Sequence, residues 1–293
     1  MTSSNRIRRS VLYTPGSNEK ALGKGRQLPA DVLILDLEDA VHPEQKVVAR
    51  EYIAQSLQEG GYGYREMVVR CNGLDTPWGQ EDIKMVTKAN PDALLIPKVE
   101  SAEMVHQVVA LLEQHNASDR LQVWCMMETP KGILNAQEIA NAHHRVSTLV
   151  MGTSDLAKDL QCAHTPMRLP MLMSLSQCIL AARAADLTIL DGVFLDLSDD
   201  EGFIAACQSG LELGFDGKTL IHPKTIDVAN EIFAPKATDV AWAEKIIEAY
   251  QEATREGYGV VVVEGRLVEN LHIEMAKRTL SRAAAIKERV SSS

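Results

Sequence analysis

Two neighbouring stretches, LQVWCMMETPKG at residues 121–132 and STLVMGTSDLAKDL at residues 147–160, decide how this chain is read. Each opens with an apolar block of strand length, stops at a turn-former and passes into a helical pattern. The first delivers Glu128 just before Thr129-Pro130, and proline suits the opening turn of a helix. The second delivers Asp155 after Gly152-Thr153-Ser154, a loop able to cap the helix that follows. Two such units in succession predict neighbouring parallel strands with both acids at the same end, side by side above the sheet. Paired carboxylates suit a hard divalent cation such as Mg²⁺, which keeps positions open for water and substrate. The competing expectation is that both acids do no more than cap helices, where negative charge is also favoured.

Working outward, six more apolar runs frame this pair. RRSVLYTPG lies near residue 10, DVLILDLEDA near 34, EMVVRCNG near 68 and ALLIPKVES near 95. DGVFLDLSD near 194 and DGKTLIHP near 219 follow. Eight runs, each with a helical stretch behind it, predict an α/β fold of the (β/α)8 TIM-barrel type. An open, doubly wound sheet is the alternative, although no G-x-G-x-x-G follows the first run. Residues 101–115 and 173–186 carry helical spacing behind a serine cap. After Pro223 the pattern changes to helix over 224–256, a short strand-like YGVVVVEG, and an amphipathic helix over 270–290. The expected division is a catalytic barrel at 1–231 and a C-terminal helical extension at 232–293, packing on the barrel or on a neighbouring subunit. The final SSS is expected to fray.

Composition narrows the function classes. The 293 residues are 45% hydrophobic and 24% charged, as in ordinary soluble globular proteins. A net charge of −10 argues against nonspecific nucleic-acid binding. No apolar run reaches membrane-spanning length, and MTSSNRIRRS lacks the apolar core of a signal peptide. The five cysteines (Cys71, Cys125, Cys162, Cys178, Cys207) are odd in number and form no CxxC pair, so neither a disulfide framework nor a zinc knuckle is expected. Cytoplasm is the expected location.

In a barrel the chemistry belongs at the C-terminal strand ends. Those ends deliver Tyr13, Pro15 and Gly16; Asp36, Glu38 and Asp39; Arg70 and Asn72; Lys98 and Glu100; Glu128; Asp155; Asp196; and His222. Taken singly, each has a plain explanation. Asp36 or Glu38 serves as an internal salt-bridge partner, Lys98 as a rim ion-pair partner rather than a Schiff-base lysine, and His222 as a hydrogen-bonded structural histidine. Together they favour a metal-dependent site for an anionic substrate.

The motifs RRSVLYTPGSNEK, LDLEDAV, VVRCNGLDTPWG, LLIPKVES, METPKGILNA, GTSDL and GFDGKTLIHP, in this order over nearly the whole chain, resemble one known family. It is the citrate lyase β-subunit-like (CitE-like) branch of the HpcH/HpaI aldolase superfamily, in particular its citramalyl-CoA and malyl-CoA lyases. The resemblance implies a TIM barrel that assembles as a homotrimer or a multiple of it. It also implies an Mg²⁺-dependent carbon–carbon lyase that cleaves an acyl-CoA thioester by retro-Claisen chemistry. The products would be acetyl-CoA and a 2-oxo acid, pyruvate or glyoxylate. By resemblance Glu128 and Asp155 are the metal pair, with Glu128 also touching substrate. Arg70 steadies substrate and the developing enolate, a role suited to a guanidinium, though a structural ion pair is its other reading. Tyr13, Lys20 and Lys24 resemble CoA-contacting positions; taken alone, the two lysines at i and i+4 would read as a solvated helix face. Leu195 and Asp196 match a further substrate-contacting pair.

One position departs from the family pattern. Relatives carry an Asp in a C-terminal G-x-M-V/I-D motif that reaches a neighbouring subunit's site as the acid/base, and here EGRLVEN places Glu269 there, one methylene longer. The alternative function is a citrate lyase β subunit that acts on a citryl carrier-protein thioester and yields oxaloacetate. Ser154 and the Glu128-Thr129 pair lean toward the free-standing CoA enzyme. A noncatalytic thioester binder is the third possibility, and Glu128, Asp155 and Arg70 together argue against it. The identity of the 2-oxo acid stays open, since a methyl-sized difference in an apolar pocket is worth only about 1–3 kcal/mol.

Overall fold

The computed structural model describes residues 6–256 and 261–291. They fall into two compact units, Arg8–Phe233 and a second made of Arg6, Ile7 and the described residues from Ala234 onward.

The first unit alternates strand and helix. Its order is β1 (Ser10–Pro15), α1 (Glu19–Gly25), β2 (Val32–Asp36), α2 (Lys46–Glu59), β3 (Glu66–Arg70), α3 (Gly79–Ala89), β4 (Ala93–Ile96) and α4 (Ala102–Gln114). It continues with β5 (Gln122–Met127), α5 (Pro130–Leu134), α6 (Ala136–Ala140), β6 (Val146–Met151), α7 (Thr153–Asp159) and α8 (Leu172–Ala184). β7 (Thr188–Asp191), α9 (Asp200–Leu213), β8 (Gly217–Leu220) and α10 (Ile226–Ile232) complete it. The eight strands pair in sequence order, and β1 pairs in parallel with β8 through Val11 and Thr219, which closes the barrel. The TIM-barrel expectation is met and the open sheet is excluded.

Residues alternate between the two faces of each strand. Val11, Ile34, Val68, Leu95, Trp124, Met126, Val150 and Leu190 fill the barrel interior. Leu12, Leu35, Val69, Leu94, Cys125 and Leu149 pack outward against the helices. Burial on both faces explains why the strands read as nearly continuous apolar runs. Inside the barrel wall, Arg8 forks onto Glu66 at 2.6 and 2.8 Å and lies 5.0 Å from the Trp124 ring centroid.

Two details differ from the sequence reading. The α4 cap is as expected, with Ser101 Oγ accepting the Met104 N–H, but α8 starts at Leu172 behind a 3₁₀ turn and has no side-chain cap. The seventh strand is Thr188–Asp191, just ahead of most of DGVFLDLSD, so Asp196 sits in a loop and not at a strand end. Asp191 takes that end, where its buried carboxylate accepts from Arg168 Nη1 at 2.6 Å, Lys218 Nζ at 2.8 Å and the Gly192 N–H at 2.9 Å. The chain leaves the strand at Gly192, whose missing side chain lets Thr153 pack against it.

The second unit contains α11 (Ala237–Glu256), β9 (Val261–Val263), β10 (Arg266–Val268) and α12 (Asn270–Ser291). β9 and β10 form an antiparallel hairpin turning through Glu264 and Gly265, both at positive φ, as a two-residue hairpin loop requires. Val260 and the residues before it in YGVVVVEG lie outside the described residues, as do Ser292 and Ser293. Ala243, Ile246, Val261, Val263, Val268, Ile273 and Ala276 give this unit an apolar cluster of its own. Among the described residues no helix is long and apolar enough to cross a membrane.

Candidate active site

A cavity of about 320 Å³ opens at the C-terminal ends of the barrel strands and the loops beyond them, lined by Tyr13, Asp36, Asp39, Arg70, Met126, Glu128, Gly152, Thr153, Asp155 and Val193, among others. It brings together Tyr13, Arg70, Glu128 and Asp155 from four different β-α units.

Glu128 directly follows β5, and it is not a helix cap. Thr129 has that role, accepting the Gly132 N–H at 3.1 Å. Glu128 Oε1 instead accepts the backbone N–H of Lys98 at 2.8 Å. Its Oε2 faces Gly152, where any side-chain carbon would overlap it. The residue is 4% exposed. That burial pushes the carboxyl up to about 7; the Lys98 N–H and Arg70 pull against the shift, while Glu38 and Asp155 add to it.

Asp155 stands in the first turn of α7, which Gly152 precedes without a side-chain cap. Its Oδ2 lies 3.2 Å from Lys98 Nζ and its Oδ1 3.4 Å from Lys158 Nζ. Partial burial disfavours its charged form, but Lys98 first and Lys158 second outweigh that and hold the carboxyl below the ordinary aspartate value.

Arg70 ends β3 and is buried. Nε and Nη2 grip the two oxygens of Asp36 at 2.7 and 2.6 Å, and Nη1 lies 2.9 Å from Glu38 Oε2. Asp36 is braced in turn by the Glu38 and Ala40 N–H groups. Burial works against the Arg70 charge, yet Asp36, Tyr13 and Glu38 more than compensate, so the guanidinium is fixed and permanently charged. Arg70 is thus a structural ion-pair member and a cavity wall at once. Tyr13 lies with its ring centroid 4.8 Å from that guanidinium, and its hydroxyl donates to Met126 Sδ at 3.6 Å. Burial raises the phenol well above its usual range and keeps it neutral.

Of the other expected positions in the first unit, Lys20, Lys24, Leu195, Asp196 and His222 are not among the residues that line this cavity. Lys20 and Lys24 are exposed on α1 and pair with no other described residue. Leu195 and Asp196 are exposed in the loop after β7, where Asp196 Oδ1 accepts from the Ser198 hydroxyl and N–H at 2.6 and 2.9 Å. Glu269 belongs to the second unit. It is exposed ahead of α12, and its N–H donates to His272 Nδ1 at 3.0 Å. His222 has the structural role, accepting the Lys224 N–H at 3.1 Å in the turn after β8.

One residue and one contact carry no signal in the sequence. Met126 sulfur meets both the Tyr13 hydroxyl and Arg70 Nη1 at 3.6 Å, yet its letter is one of several in an apolar run. Lys98 is the ion-pair partner that its place at the rim suggests, but its backbone contact with Glu128 has no sequence signal.

The residues fit a divalent cation. Glu128 and Asp155 share the cavity wall, and Asp155 raises the electrostatic cost of charge on Glu128. Glu128 Oε2 meets no hydrogen-bond donor among the described residues, so a hard cation would answer its charge. No group of three or more His, Cys, Asp or Glu suited to a metal occurs among the described residues. A cation here would therefore take two protein carboxylates and complete its shell with water and substrate oxygens, the habit of Mg²⁺.

Comparison with known proteins agrees with this geometry. Residues 9–223 match the model of the HpcH/HpaI aldolase/citrate lyase family. A (3S)-malyl-CoA thioesterase of Cereibacter sphaeroides is 49% identical over 278 residues, 95% of each chain. The citrate lyase subunit beta of Leuconostoc mesenteroides subsp. cremoris is 35% identical over 285 residues, 96% of this chain and 94% of the relative. The CitE protein of Mycobacterium tuberculosis, solved in complex with magnesium, acetoacetate and coenzyme A, superposes with a TM-score of 0.75. It is 27% identical, over 96% of this chain and 99% of that one, and it holds the metal expected here.

Proposed function

The chain belongs to the HpcH/HpaI aldolase/citrate lyase family of enzymes, and from that premise we propose that it is a magnesium-dependent carbon–carbon lyase acting on malyl-CoA or citramalyl-CoA. The observation that carries the reading is the meeting of Glu128, Asp155 and a fixed Arg70 around one cavity. Its volume of about 320 Å³ suits the short acid end of such a thioester, with the nucleotide outside. A relative named for (3S)-malyl-CoA and another solved with magnesium and coenzyme A support the substrate class.

When bound, magnesium supplies Lewis-acid charge to the carboxylate and hydroxyl oxygens of the 2-hydroxy acid end. Glu128 and Asp155 are the residues that hold it. In cleavage, the bond between the hydroxyl-bearing carbon and the thioester α-carbon breaks. The electron pair passes toward the thioester oxygen, and the hydroxyl proton passes to Glu269, the acid/base of this reading, to leave a 2-oxo acid. Arg70 meets the growing negative charge with a guanidinium already oriented by Asp36 and Glu38, so little reorganisation accompanies the step. The α-carbon then takes a proton to give acetyl-CoA. This reading assigns that proton to Glu269 on the likeness of EGRLVEN, and contacts with the rest of the thioester to Tyr13, Lys20, Lys24, Leu195 and Asp196. A homotrimer or a multiple of it, in the cytoplasm, is the proposed working form.

Hydrolysis of the same thioester to malate and free CoA is the second reading, favoured by the name of the relatives at 49% identity. The citrate lyase β reading is weaker, with relatives such as the Leuconostoc subunit at 35%. One assay separates them: (3S)-malyl-CoA with Mg²⁺, followed for glyoxylate and for free thiol. Glyoxylate without thiol supports the lyase, and thiol without glyoxylate supports hydrolysis. Neither a 2-oxo acid (glyoxylate from malyl-CoA, pyruvate from citramalyl-CoA) nor free thiol from either substrate overturns the substrate class.

A further inference from the structure

Lys98 touches both acids of the proposed metal pair, with two different groups. Its backbone sits at φ +49, a left-handed conformation that is uncommon for a residue with a side chain and clusters at functional sites. In that conformation its N–H reaches Glu128 Oε1 at 2.8 Å, and this contact is set by the main chain. Its ammonium reaches Asp155 Oδ2 at 3.2 Å and lies 3.9 Å from Glu38 Oε1. The side chain is 47% exposed on a four-carbon stem, so the ammonium is free to swing while the amide stays.

We infer that the Lys98 ammonium competes with the divalent cation for Asp155, and so makes cation and anionic substrate bind together. The inference rests on the metal reading above and goes beyond it. A divalent ion approaching Asp155 Oδ2 meets a positive charge already 3.2 Å from that oxygen, and like charges at such range in a half-buried site repel strongly. Lys158, on the Oδ1 side, is 65% exposed and better screened. A carboxylate-bearing substrate brings negative charge that both the cation and the ammonium attract, which relieves the competition. Each ligand therefore tightens the other by the same factor.

The test is Mn²⁺ binding to the full-length protein, read from the free-Mn²⁺ paramagnetic signal with and without pyruvate or glyoxylate. Lys98→Met keeps the stem and the amide and removes only the charge; Lys98→Gln is the second variant if the first misfolds, judged by circular dichroism. The expected result is Mn²⁺ dissociation about tenfold tighter in the variant without the 2-oxo acid. The tightening caused by the 2-oxo acid should shrink by a similar factor. Unchanged or weaker Mn²⁺ binding in a folded variant overturns the inference while the wild type still binds. Equal Mn²⁺ binding by wild type and Asp155→Asn overturns the metal site itself, and the inference with it.

Discussion

Burial beneath Gly152 holds the Glu128 carboxyl near 7, against 4.5 for an ordinary glutamate. From about pH 4.5 upward the unfolded chain has released this proton, while the folded chain keeps it until about 7. The folded state therefore binds more protons in that window, and stability falls as pH rises through it. Glu128→Gln should make the protein more stable than wild type at pH 8 by roughly 2–3 kcal/mol in chelator. The advantage should vanish near pH 4.5, and urea unfolding at the two pH values measures both. A variant less stable than wild type at pH 8 would count against the burial argument. The residue's type and its place after an apolar run were legible in the sequence. Its partner was not, because a backbone N–H offered by a left-handed lysine leaves no mark in the letters.

Among the elements, the strand-to-helix corners carry the site. Gly152 has φ −104, which any residue tolerates, so its smallness is required by its neighbours, Glu128 above all and then the Met126 methyl. An alanine methyl would overlap Glu128 Oε2 and come within 2.5 Å of its Cβ. Gly152→Ala should keep the barrel's circular dichroism but lose about 10–100-fold in metal affinity, the scale seen when groups supporting a ligand are disturbed. Undisturbed metal binding would show that Glu128 Oε2 is not a ligand. The α1 helix offers a second test through the exposed Lys20 and Lys24. With both changed to alanine, a CoA thioester should lose more kcat/KM than a pantetheine thioester lacking the nucleotide; equal losses would remove phosphate binding from their role. Most strands could be located from apolar blocks that stop at turn-formers. The seventh slipped because LTILDGVFLDL is apolar on both sides of Gly192, and only the Asp191 pairing with Arg168 and Lys218 shows where the ladder ends.

Across the barrel, eight short strands closed by the β1–β8 pairing bring together residues from positions 13 to 221 around one cavity. The count of β-α units pointed to a barrel but left the open sheet as an alternative, and only the β1–β8 pairing decides between them. The β9–β10 hairpin was half visible: its second strand, Arg266–Val268, is three residues long and two of them are exposed, too little for a pattern to register. The central claim is that Glu128 and Asp155 serve a metal-dependent cleavage in the barrel. The most direct measurement is turnover of (3S)-malyl-CoA by chelator-stripped protein as Mg²⁺ is added back, for wild type and Asp155→Asn side by side. Turnover should be absent without metal and return saturably in wild type, and the variant should need far more Mg²⁺ or fail to recover. Full turnover in protein shown by elemental analysis to be metal-free would contradict the account.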